Sequence, residues 1–103
     1  MPRFSVGRLK DLQILTDDGR LIGRLRDLVV NELTGEILSI VCEPDLEEPE
    51  TAELLTFFRR DKEGCVFIPF KLVKKISHTI ILDEKLLKLY LIKKSGKPGY
   101  SRQ

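Results

Sequence analysis

Hydrophobic positions in this chain come in short runs separated by polar turn residues, with the spacing of strands. The clearest pair of runs lies between Asp17 and Cys42. Asp17-Asp18-Gly19-Arg20 forms a turn, Leu21 to Val30 a long apolar run, Asn31 to Glu36 a second turn, and Ile37 to Cys42 the return. Asp18-Gly19 and Thr34-Gly35 supply residues that accept positive φ, so the segment reads as strand, turn, strand.

Inside the long run the apolar phase changes. Leu21, Gly23 and Leu25 share one phase and Leu28 and Val30 the other. One extra residue in a strand moves every later side chain to the opposite face, which predicts a bulge near Arg26-Asp27. Gly23 then marks a close backbone approach or a sharp bend. Asp27 is expected to accept hydrogen bonds from backbone groups exposed by the bulge, since no partner for acid–base chemistry is signalled beside it.

The same pattern continues along the chain. Residues 1–7 form an arm without strong pattern, and residues 8–12 a single turn. Strands are predicted at 13–16, 21–30, 36–42, 54–59, 65–68 and 76–82, with a hairpin loop at 60–64 and a turn at 71–75. Pro69 removes a ladder donor and should interrupt the sheet or lie at an edge. Six short strands with turns between them predict an all-β fold, a small closed or nearly closed barrel. Residues 83–94 follow as a short C-terminal helix or extra strand. Asp83 suits a helix N-cap, Glu84 the first turn and Lys93-Lys94 the last. Read as a helix, Leu86, Leu89, Tyr90 and Lys93 share one side with Leu87 and Leu91 adjacent; read as a strand, Leu87, Leu89 and Leu91 align.

Composition narrows the functional classes. The chain has 103 residues and 42% apolar content, enough for one core, and its net charge of +2 is too mild to announce a nucleic-acid binder. The distribution is less even than the total. Residues 43–53 hold six acids and no bases, giving −6, whereas residues 54–103 hold twelve bases and four acids, giving +8. The acidic stretch contains Pro44 and Pro49 and predicts a solvated, mobile loop; it lacks the glycine and ligand spacing of a calcium loop. Cys42 and Cys65 sit among strand formers, and His78 is the one histidine, so no zinc site is expected. His78 reads as a sheet residue. No phosphate-cradling glycine loop, activated serine or paired acid is apparent, and no apolar run is long enough to span a membrane. The expectation is a cytoplasmic protein that is not an enzyme and carries no cofactor or metal.

Asp18 to Val30, then Thr34-Gly35-Glu36-Ile37, then Val66-Phe67-Ile68-Pro69-Phe70 before Val73 resemble the PRC-barrel domain. In that comparison Asp18, Gly19, Gly23, Asp27, Gly35 and Pro69 are the fold motif. The resemblance covers residues 8–84 and leaves 85–103 as an amphipathic segment with a basic tail. One departure is Asp11-Leu12-Gln13, where many members carry a glycine just before the first strand. The family also includes the photosynthetic reaction centre H-subunit barrel, the C-terminal domain of the ribosome maturation factor RimM, and stand-alone archaeal proteins. The resemblance implies one of two binding roles. One is a homodimeric adaptor for a protein partner, such as the archaeal cell-division factors that join the anchor protein SepF and the FtsZ ring. The other is an RNA or ribosome-maturation role through Arg59, Arg60, Lys71, Lys74 and Lys75, less favoured because Phe57, Phe58, Phe67 and Phe70 suit a core better than a stacking platform. Leu86, Leu87, Leu89, Tyr90 and Leu91 are the candidate interface, expected either to cap the barrel of their own chain or to meet a second copy.

Overall fold

A computed structural model describes residues 3–4 and 11–94. The expected turn at residues 8–12 lies outside the described residues except for its last two positions, and the basic tail lies outside them altogether. The strands are β1 (Arg3–Phe4), β2 (Gln13–Thr16), β3 (Leu21–Val30), β4 (Ile37–Pro44), β5 (Arg59–Arg60), β6 (Val66–Pro69), β7 (Val73–Ile76) and β8 (Ile80–Leu82). Two helices, α1 (Pro49–Leu55) and α2 (Glu84–Lys94), and a 3-10 turn (Phe70–Leu72) complete the chain. All eight strands belong to one sheet, in the order β5-β6-β4-β3-β2-β8-β7 with β1 added on β3. Every pairing is antiparallel except β2 with β8, and β8 follows its antiparallel neighbour β7 through a short turn.

The long strand β3 is the centre of the sheet, and it carries two extra residues. Leu25 faces Cys42 and Asp27 faces Val41, leaving Arg26 as the bulge residue against β4. Against β2, Ile14 faces Gly23 and Leu15 faces Leu21, leaving Ile22 extra. Strict alternation would put residues three apart on opposite faces. The two bulges instead bring Ile22, Leu25 and Leu28 to the same core.

That core also gathers Ile14, Ile40, Cys42, Val66, Ile68, Leu72, Ile80 and Leu82, with Leu55 from α1 and Leu87 from α2. A second, smaller cluster of Val29, Val41 and Cys65 packs with Leu38 and Phe67. Neighbours Ile40, Val41 and Cys42 are all fully buried although they alternate in direction, so β4 is covered on both faces. Among the described residues the buried polar side chains are Thr16 and Thr51. Thr16 Oγ1 bonds Asp18 and accepts from the Arg20 backbone N–H at 3.0 Å, closing the turn that Gly19 passes with φ of 93°. Thr51 Oγ1 donates to the Leu21 carbonyl at 3.3 Å and ties α1 to β3.

Several expectations change. The acidic stretch is not a continuous loop, because Pro49 opens α1 at a position where its missing N–H has no partner to lose. Thr51 and Leu55, four apart, then bury one side of that helix. The strand predicted at 54–59 is the end of α1 and a turn that buries Phe58 and exposes Phe57, with β5 only two residues long. The expected turn at 71–75 divides into the 3-10 turn and β7, and the strand at 76–82 is broken at residues 77–79, where Ser77 N–H donates to the Thr79 carbonyl. His78 lies exposed in that break rather than in a strand. Part of the N-terminal arm is ordered against the sheet, with Arg3 opposite Val29 and Phe4 opposite Leu28. Residues 84–94 take the helical alternative.

Candidate functional site

The fold-motif residues take up positions in the strands and turns of the sheet. A Cβ on Gly23 would lie 2.2 Å from the Glu43 carbonyl oxygen and 2.7 Å from Cys42 Sγ, so only glycine allows β3 and β4 to approach this closely. Gly35 turns the chain with φ of 77°. Asp27 follows the bulge residue and is half-buried opposite Val41. Pro69 ends β6 opposite Ser39. These residues lie at separate places along the sheet and bring no reactive groups together.

Several titratable groups are held by their neighbours. Burial pushes the Cys42 thiol up to about 12, and burial also raises Cys65; both cysteines are free. A hydrogen bond from Thr16 lowers Asp18, while the facing Asp18 carboxylate raises Glu84. Asp17 accepts from the Glu84 backbone N–H at 3.3 Å and pairs with Lys74, also at 3.3 Å. Arg26, extruded at the bulge, pairs with Glu43 at 2.9 Å.

In the loop before β6, the ligand atoms of Asp61, Glu63 and Cys65 lie within 4.8 Å of one another and could in principle hold a cation. Asp61 Oδ1 already accepts from the Glu63 and Cys65 backbone N–H groups, both at 2.9 Å, an arrangement that serves the turn.

Helix α2 presents a different kind of surface. Leu87 is 2% exposed and belongs to the core, and Leu91 packs against that core half-buried, so these two members of the candidate interface face their own chain. Tyr90 is half-buried and stacks on Phe58 with ring centroids 5.1 Å apart. Leu86, Leu89 and Ile92 are 43%, 58% and 57% exposed and form an outward row at helical spacing. With Leu72 and Tyr90 they line a groove of about 440 Å³ that Lys71 and Lys93 also line. The Lys71 ammonium lies 5.8 Å from the centre of the Tyr90 ring. Sequence reasoning identified Leu86, Leu89, Tyr90 and Lys93 as one side of a helix. It missed Ile92, legible as three residues beyond Leu89, and Leu72 and Lys71, which only the tertiary fold brings there.

The sequence pattern of the PRC-barrel domain matches residues 1–88. The chain belongs to the PRC-barrel domain family. The match takes in all eight strands and the first half of α2, and it ends before Leu89, Tyr90, Ile92 and Lys93. This PRC-barrel chain is also similar to an uncharacterized protein of Methanocaldococcus jannaschii, 29% identical over 84 residues, spanning 82% of this chain and 85% of the relative. Among the described residues, no helix is long and apolar enough to cross a membrane.

Proposed function

We propose that this PRC-barrel chain is a non-catalytic protein-interaction module, a cytoplasmic adaptor that self-associates as a homodimer through the outer face of α2. One observation carries the reading: Leu86, Leu89 and Ile92 stand exposed in a row over a groove, although α2 already satisfies the core with Leu87 and Leu91. A contiguous apolar patch rimmed by polar residues is characteristic of a protein contact. Two unpaired, buried thiols suit a reducing compartment.

Sedimentation velocity tests the dimer. The wild-type chain is expected at twice its monomer mass at micromolar concentration, and Leu89→Glu at the monomer mass with an unchanged circular dichroism spectrum. A wild-type monomer, or a Leu89→Glu dimer, overturns the reading. The finer form, an adaptor between cell-division proteins, draws its support from the family resemblance. It is tested by pull-down with nuclease treatment, in which division proteins should be retained.

RNA binding is the second reading, favoured by the exposed Arg59, Arg60, Lys71, Lys74 and Lys75. Three of these already have partners. Lys74 pairs with Asp17, Arg59 lies 5.2 Å from the centre of the Phe67 ring, and Lys71 lies over Tyr90. A steep fall of RNA affinity with salt would support this reading against the first.

A further inference from the structure

We infer that the groove on α2 receives the acidic segment around Leu46 of a second copy, with Leu46 as the apolar knob and Glu47 and Glu48 meeting Lys71 and Lys93, which line the groove. This inference rests on the proposal that the chain dimerises through α2, and it names the surface that α2 meets.

The charges on α2 argue against pairing with its own image. Lys85 and Lys88 stand near one end of the helix and Lys93 near the other, and the one acid in it, Glu84, lies 4.0 Å from Lys88. Two such helices laid antiparallel would bring lysines against lysines at both ends, and like charges brought together at an interface are costly. The occupant must carry carboxylates around an apolar group. The chain itself offers one.

Residues 43–53 carry six carboxylates and no base. Within them Leu46 is 58% exposed, so it does not occupy the groove of its own chain. Glu43 pairs with Arg26, and Glu50 with Arg20 at 3.4 Å. Among the described residues no ion pair engages Glu47 or Glu48, and both are exposed. An exposed leucine flanked by carboxylates thus matches an apolar groove flanked by Lys71 and Lys93 in shape class and in sign.

The segment and the groove are different surfaces of one chain, as a closed pair of this kind requires. The segment around Leu46 precedes α1, and the chain leaving α1 stacks Phe58 on Tyr90 of α2. About a two-fold axis, the segment of each copy meets the groove of the other, and the contact is made twice. Leu33, at 92%, is more exposed than Leu46, but its turn, residues 31–36, brings only Glu32 and Glu36. The groove residues Leu89, Ile92 and Lys93 lie beyond the part of the chain that matches the family, whereas Lys71, Leu72, Leu86 and the segment around Leu46 lie within it.

The test is a charge exchange read by sedimentation velocity. Lys71→Glu/Lys93→Glu and Glu47→Lys/Glu48→Lys should each weaken self-association by about tenfold or more, since each puts like charges across both contacts. Mixed in equal amounts, the two variants should recover the wild-type dimer, because each reversed groove then faces a reversed segment. Leu46→Ser should weaken the dimer and Leu33→Ser should not, and wild-type affinity should fall with added salt. Failure of the mixture to associate, or a loss confined to Leu33→Ser, overturns the inference. If Leu89→Glu still abolishes the dimer in that event, the α2 interface stands and its occupant is different. If Leu89→Glu leaves the dimer intact, the α2 interface itself is refuted.

Discussion

Replacing Gly23 by alanine tests the closest approach in the sheet. The added Cβ would lie 2.2 Å from the Glu43 carbonyl oxygen and 2.7 Å from Cys42 Sγ. Comfortable non-bonded contact begins near about 3.5 Å, so β3 and β4 must separate locally by about 1 Å. A flexible side chain could yield, but a carbonyl in a ladder cannot. Arg24 is in register with Glu43 and Leu25 with Cys42, and the shift therefore spreads along both strands. Overpacking of this kind costs about 1–3 kcal/mol, and weakening one ladder hydrogen bond adds about 1 kcal/mol. Removing glycine from a strand interior returns about 0.5–1 kcal/mol. The net loss is about 1–3.5 kcal/mol from a total of about 5–15, with a fall in Tm of about 5–25 °C. Urea unfolding followed by circular dichroism measures it. Gly35→Ala is the reference, since it has positive φ but open space, and should cost about 1–2 kcal/mol. Cys42→Ala combined with Gly23→Ala removes the sulfur contact and leaves the carbonyl, so the double variant should cost less than the sum of the singles without recovering the loss caused by Gly23→Ala. A Gly23→Ala protein within about 0.5 kcal/mol of wild type, or one rescued by Cys42→Ala, would refute the reasoning.

Asp11 holds φ of 72°, so Asp11→Gly should stabilise the fold by about 0.5 kcal/mol in urea unfolding; a loss would show that its side chain compensates for the strain. With Cys42 held near about 12 and Cys65 also raised and buried, neither thiol should react with a disulfide reagent at pH 8 until the chain unfolds. Prompt labelling of the folded protein would contradict this. Glu84 has a raised folded-state pKa, so its contribution to stability is present below its unfolded value near 4.5 and is lost as pH rises through the folded value. Asp18, lowered mainly by Thr16, contributes in the opposite sense, above its unfolded value near 3.8, and loses that contribution as pH falls through the folded value. Glu84→Gln should accordingly gain stability relative to wild type between pH 4 and pH 7, less so in high salt; an unchanged difference would place the two carboxylates too far apart to interact. Leu87→Ala should cost about 2–5 kcal/mol and weaken dimerisation with it, whereas a variant that unfolds like wild type would mean α2 is not seated in the core.

How much of this was legible in the sequence follows from the range of each interaction. The β2–β4 region could be read because its signals are local: Asp18-Gly19 and Thr34-Gly35 make turns whatever surrounds them. The phase change at Arg26-Asp27 reports a bulge through the side chains on either side of it. The resemblance to the PRC-barrel domain was legible for the same reason, since its motifs fall in those turns and strands. The bulge at Ile22 was hidden because it shows only against β2, where Leu15 meets Leu21. Helix α1 was missed because two prolines and six carboxylates resemble a loop, although Pro49 and the buried pair Thr51 and Leu55 are what a short helix requires. At Asp11 the sequence showed a missing glycine, and the positive φ explains why a glycine would suit that position. The groove depends on Lys71 and Leu72 meeting α2 from a different element, a contact that no local pattern encodes.

The two sides of α2 are physically dependent on each other. An isolated helix of eleven residues is marginal in water, so its order here comes from docking Leu87 and Leu91 on the barrel and stacking Tyr90 on Phe58. Only because that inner face is fixed do Leu86, Leu89 and Ile92 stand in a constant row opposite Lys71. The exposed row is then preorganised, and a partner does not have to order the helix on binding. This division also explains the composition of the segment, which carries more aliphatic residues than its own core can bury. Among the described residues the buried polar side chains, Thr16 and Thr51, are both bonded within the chain. In the proposed dimer the contact falls to the outer surface, where an apolar row beside lysines and an exposed leucine between carboxylates are held by the same small core.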